Sequence, residues 1–155
     1  MGIAELLAGL IGAWTGTNHL WFRPGEPGFE SPTTVTVAPT AQGTATLLQY
    51  TWSHEGTPHA GAMLILHQAT TAEQDAVTWV DSFHTAAGLM HFRGGMNADG
   101  TFSVIGSYGA PEGPPWGWRI VLTPAADGQF TMRMYNITPD GQEVLAVEAT
   151  YRKSA

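Results

Sequence analysis

The sequence contains no cysteine, which excludes disulfides, thiolate chemistry and cysteine-ligated zinc or iron-sulfur centres. Cations are scarce too, with six Lys and Arg against 13 Asp and Glu and a net charge of -7. That balance argues against nucleic acid as a partner, because phosphate binding draws its affinity from clustered cations. Anionic membrane surfaces are disfavoured for the same reason. Charged residues of both signs make up 12% of the chain, about half the usual share, so Thr, Ser, Gln and Gly must cover much of the surface. No apolar run is long enough to span a bilayer. The short one near the N-terminus has Glu5 inside it and no basic residue ahead of it, so it does not read as a secretion signal. Leu6 stands where a myristoylation signal wants Ser or Thr. The cytoplasm is the expected compartment.

Glycine, by contrast, is plentiful, and 19 Gly with 10 Pro spread along the chain mark frequent turns. A length of 155 residues suits a single domain, 1–155. Ile3, Leu6, Leu7 and Leu10 repeat at helical spacing, which predicts one short helix before Gly12. From Trp14 onward the period is two. The alternation predicts ten strands, at about 13–22, 31–38, 44–53, 60–68, 76–83, 87–93, 101–108, 116–123, 129–137 and 143–152. Asp99-Gly100, Asp127-Gly128 and Asp140-Gly141 fall between strands, where a tight hairpin needs positive φ. The expected fold is all-β: an antiparallel up-and-down meander of about ten strands that removes its edges by closing into a barrel.

The bulkier, more apolar half of each segment is taken as the inner face. It comprises Trp14, Leu20 and Phe22; Leu48, Tyr50 and Trp52; Met63, Ile65 and His67; Val77, Trp79, Asp81 and Phe83; Phe102, Val104 and Tyr108; Trp118, Ile120 and Leu122; Met132 and Met134; and Leu145, Val147, Ala149 and Tyr151. In the sixth strand, Leu89, His91 and Arg93 compete with Met90 and Phe92 for that face.

The segment Gly12-Ala-Trp14-Thr-Gly16 resembles the Gly-X-Trp-X-Gly opening strand of calycin barrels, the group of lipocalins, fatty-acid-binding proteins and nitrobindins. Trp79-Val-Asp81-Ser82, the Asp99-Gly100 hairpin and the closing Glu148-Ala-Thr-Tyr151-Arg152 are similar to an uncharacterised bacterial family of calycin-like barrels. The resemblance implies a barrel with an inner cavity, a helix plugging one end, and Trp14 packed against Arg152. A nitrobindin-like barrel would carry haem on a histidine near the C-terminus. The last histidine here is His91, so no cofactor is expected.

Candidate chemistry comes from register. A hairpin turning around Ala86 would set Asp81 opposite His91 and Trp79 opposite Arg93, and a two-residue turn at Asp99-Gly100 would bring Tyr108 to the other flank of His91. Asp81, His91 and Tyr108 could then form a catalytic relay, with the carboxylate orienting the imidazole base and the phenol donating to an oxyanion. The same trio reads first as a satisfied structural network that fixes register, since buried polar groups need partners in any case. Tyr50, Trp52, Met63, His67, Trp79, Arg93, Trp118 and Met134 are the expected ligand-binding residues, since mostly apolar walls with a few polar groups describe a small-molecule site. His54-Glu55 followed by His59 has the wrong spacing for a zinc-protease helix and reads as a turn, and His19 and His84 are placed outward or in loops. No metal site is expected. The leading function is binding of a small, mainly apolar or aromatic molecule. The alternative is a cofactor-free isomerase, cyclase or lyase using Asp81 and His91. Haem or metal binding and a purely structural role rank lower, and a homodimer is a possible assembly.

Overall fold

The structure, a computed structural model, describes residues 1–68, 73–85 and 88–154. After helix α1 (Ile3–Leu10), ten strands follow: β1 (Gly12–Leu20), β2 (Phe29–Thr40), β3 (Ala45–His54), β4 (Thr57–Leu66), β5 (Val77–Asp81), β6 (Met90–Met96), β7 (Phe102–Tyr108), β8 (Trp116–Leu122), β9 (Gln129–Ile137) and β10 (Glu143–Lys153). Every strand pairs antiparallel with its sequence neighbour, and β1 pairs with β10, so the sheet is a closed barrel. Closure satisfies the backbone groups that an open meander would leave at two edges.

Turn chemistry sets the pairing. At Asp127-Gly128 both residues have positive φ, 54° and 72°. Ala126 and Gln129 exchange two backbone hydrogen bonds across them, forming a two-residue hairpin. The Asp99-Gly100 hairpin is longer than expected, because Gly100 alone takes positive φ and Asn97 N–H bonds to the carbonyl of Thr101. Arg93 therefore faces Ile105, where a two-residue turn would bring Gly106. Gly16, the second glycine of the Trp14 motif, permits β1 to lie close against β10: a Cβ there would stand 1.7 Å from the carbonyl oxygen of Thr150.

The alternating inner face fills the barrel. Leu48, Ile65, Phe92, Leu122, Phe130, Met132 and Tyr151 are all buried. Leu6, Leu7 and Leu10 of α1 join the same core, each contributing about 1.5–3 kcal/mol by leaving water. Ile3 lies with Leu66, Ala76, Met96 and Phe102. The helix thus stops the end of the barrel at which β4 and β6 finish and β7 begins. The opposite end is open.

Several expectations need correction. Phe22 lies beyond β1 and is exposed, in contact with Phe29 and Phe83 at the open end. The register shifts between Leu145 and Val147, so Leu145 is only half-buried while Ala146 is buried. The cation over the Trp14 ring is Lys153, at 4.6 Å from its centroid, and not Arg152. Lys153 is the residue paired with Trp14, whereas Arg152 pairs with Thr15 on the other face. Ala86, where the β5–β6 turn was expected, lies outside the described residues.

Candidate ligand site at the open mouth

Asp81 ends β5 with its side chain turned inward, and it is 1% exposed. Its carboxylate accepts four hydrogen bonds. Oδ2 takes the Tyr50 phenol at 2.6 Å and the Trp52 indole N–H at 3.1 Å. Oδ1 takes the backbone N–H groups of Phe83 at 2.8 Å and His84 at 3.0 Å. These last two bonds are an Asx-type turn. With the Thr85 hydroxyl accepting from Asp81 N–H at 2.7 Å, they fold the chain back over the mouth and return Phe83 and His84 to it. The Tyr50 phenol in turn accepts Trp79 Nε1–H at 2.9 Å.

Gly61 makes this network possible. It pairs with Tyr50 on one side and Asp81 on the other, and a Cβ there would lie 2.2 Å from the phenol oxygen. The Tyr50 ring therefore crosses over Gly61 to reach a carboxylate two strands away. Burial and the neighbouring carboxylate push the Tyr50 phenol well above 10, so it stays a donor.

His84 sits among the aromatic rings. Its centroid lies 5.4 Å from Trp52, 5.3 Å from Trp118 and 5.8 Å from Trp79. Trp79 and Trp118 are nearly parallel, 5.8 Å apart at 12°. Burial pulls the His84 pKa below 6.5, with the Asp81 charge opposing and His59 reinforcing the fall, so the imidazole is neutral at pH 7. No hydrogen bond to a described residue engages its ring nitrogens. Trp118 Nε1 is likewise buried without a partner.

A cleft of about 470 Å³ opens beside these rings, lined by Trp79, His84, Thr85, Gly88, Leu89, Met90, Tyr108 and Trp118. On the other side of His84 and Trp118 lies a second cleft of about 420 Å³, with Trp21, Phe22, Phe83 and Trp116 among its walls. Below them, Tyr50, Trp52, Asp81 and Met134 border a void of only about 10 Å³. At this end of the barrel the open space thus lies at the mouth, and the interior directly beneath it is packed.

The structure does not assemble the Asp81, His91 and Tyr108 relay. His91 faces Thr78, three residues before Asp81. An odd shift reverses the face, so Met90 and Phe92 point inward while His91 is exposed and bonds to the Thr78 hydroxyl at 3.0 Å. Tyr108 lines the cleft but bonds to Asn136 at 2.5 Å. Trp79 pairs with Met90 and not Arg93, which is exposed and bonds to Asp75 at 3.3 Å.

Among the expected ligand-binding residues, Trp79 and Trp118 border the cleft, while Tyr50, Trp52 and Met134 lie under it. Met63 is packed in the core, and His67 is at the plugged end, bonded to Thr46 at 2.7 Å. Sequence reasoning missed His84, Thr85, Leu89 and Met90. The available signal was Asp81 followed four residues later by Thr85, a side-chain pattern that folds a loop onto itself.

Among the described residues, no three His, Asp or Glu side chains converge on a metal-sized site. The haem arrangement does not fit either: β9 and β10 carry no histidine, and His91 points outward. Nor is any helix among the described residues long and apolar enough to cross a membrane.

The signature of the family described as "Protein of unknown function (DUF1579)" matches residues 3–153. The chain belongs to this family. No curated protein matches this DUF1579 chain. Among solved structures, the DUF1579 barrel is similar to Rv2717c from M. tuberculosis, with a TM-score of 0.60 at 11% identity over 100% of this chain and 99% of that one. That likeness shows the fold. A second similarity, to a putative thioesterase II from Thermobifida fusca YX, has a TM-score of 0.24 at 14% identity, covering 100% of this chain and 87% of that one. So loose a superposition bears on neither fold nor activity.

Proposed function

We propose that this DUF1579 barrel binds a small, mainly apolar molecule at its open mouth, in the cleft beside the stacked Trp79 and Trp118, in the manner of calycin-like carriers. One observation carries the reading. A cleft of about 470 Å³ with aromatic walls meets two ring systems, His84 and Trp118, whose nitrogens have no hydrogen-bond partner among the described residues. A buried N–H without an acceptor costs about 1–3 kcal/mol, and a guest with one polar end would recover it. Mostly apolar walls with a few convergent polar groups are the usual composition of such sites.

Titration with the neutral dye N-phenyl-1-naphthylamine, read by dye emission and tryptophan quenching, is expected to saturate at micromolar concentration. Trp118→Leu should weaken binding about tenfold, or about 1.4 kcal/mol. A flat titration in the unaltered protein would reject the site.

A second reading, cofactor-free proton transfer, draws on one feature only. His84 lines the cleft, its pKa is lowered, and no described residue hydrogen-bonds its ring nitrogens, as a general base requires. In this reading His84 takes the role that sequence gave to His91. Asp81 would not orient it through the ring, since the carboxylate bonds to the backbone N–H of His84. Turnover of a bound guest that His84→Gln abolishes without loss of affinity would favour this reading over a carrier.

A further inference from the structure

We propose that the mouth cleft selects a cationic guest, a small amine or quaternary ammonium whose charge lies against the Trp118 and Tyr108 rings and which also carries an acceptor for the Trp118 N–H. This deepens the binding reading above and rests on it. Asp81 is a fully buried carboxylate whose partners are all neutral: two backbone N–H groups, a phenol and an indole. It therefore has donors but no counter-charge. Neither Lys nor Arg lines the cleft. Three of the six cations in the sequence, Arg93, Arg119 and Arg133, are engaged by carboxylates outside the barrel. The adjoining imidazole, His84, is stacked among the rings rather than bonded to the carboxylate.

The hydrogen-bond pattern extends this charge to the ring faces. Trp52 donates its indole N–H to the carboxylate directly, and Trp79 donates through the Tyr50 phenol. An indole that gives its N–H toward an anion is polarised so that its π face becomes more negative. The face of an indole is already the strongest aromatic partner for a cation. Trp79 itself is buried, stacked on Trp118, so the rings that face the cleft are those of Trp118 and Tyr108. An ammonium of small radius gains attraction from both the rings and the buried anion. A carboxylate-bearing guest would be repelled.

Three ligands of one shape test the charge alone: phenyltrimethylammonium, neutral tert-butylbenzene and anionic 2-methyl-2-phenylpropanoate, each titrated against tryptophan fluorescence of the unaltered protein. The expected order is cation, neutral, anion, with the cation at least tenfold tighter than the neutral compound. Equal affinities, or a tighter neutral or anionic ligand, would overturn the charge preference while leaving the apolar pocket in place. No response to any of the three, together with a flat dye titration, would overturn the pocket itself. Asp81→Asn, checked for folding by circular dichroism, should compress the cation-to-neutral ratio several-fold, and an unchanged ratio would contradict the role given to Asp81. The three-ligand order in the unaltered protein decides the matter even where that variant does not fold.

Discussion

Gly61 shows how one residue can govern a site without touching a guest. The hydrogen atom in place of a side chain leaves room for the Tyr50 ring to cross the strand and meet Asp81. Gly61→Ala should displace that ring and leave the buried carboxylate short of a donor. Overpacking of this kind costs about 1–3 kcal/mol, readable as a lower urea midpoint at unchanged slope. His84 has a different signature. Its pKa in the folded protein lies below 6.5, so the unfolded chain takes up a proton first as the pH falls. Its contribution to stability is complete above 6.5 and is lost as the pH drops through that value toward the folded pKa. Unfolding free energy is therefore expected to decline as the pH falls below 6.5, and the decline should be shallower in His84→Gln. Asp81, which favours the charged imidazole, and His59, which opposes it, set how far the window extends. An identical pH profile in the variant would remove His84 from this account.

At the scale of elements, the seam between β5 and β6 is the shortest in the barrel among the described residues. There Val77–Phe92, Thr78–His91 and Trp79–Met90 pair, while β3 and β4 pair over ten positions. Local opening follows the weakest set of contacts. Amide exchange in β6 is expected to run at least about tenfold faster than in the centre of β3, and uniform protection around the barrel would contradict this. The same seam is where sequence reasoning lost the site. Strand identity was legible because alternation persists over each segment, and the observed strands fall close to the expected ones. The β5–β6 register depended on a connection whose first residues, 82–85, are folded back by Asp81 and Thr85 side chains bonding to backbone. Period-two patterning carries no information about such bonds, so a three-residue offset put His91 on the wrong face and hid His84.

Taken as a whole molecule, the barrel was readable in outline because its devices are local: apolar alternation, Asp-Gly turns and a helical repeat of leucines. Its chemistry was less readable because it arises between strands distant in sequence, Tyr50 over Gly61 to Asp81 and Trp118 beside Trp79. Aromatic residues announced a pocket. Their arrangement around one buried carboxylate did not appear until the strands were in register.

The stoppered end has a consequence for traffic. With Leu6, Leu7 and Leu10 seated in the base, a molecule held at the rim has no passage through the body and must leave by the route it entered. Loading and release then share one threshold, the rim that His84, Thr85, Gly88 and Leu89 line, so any change that speeds uptake there should shorten dwell time as well.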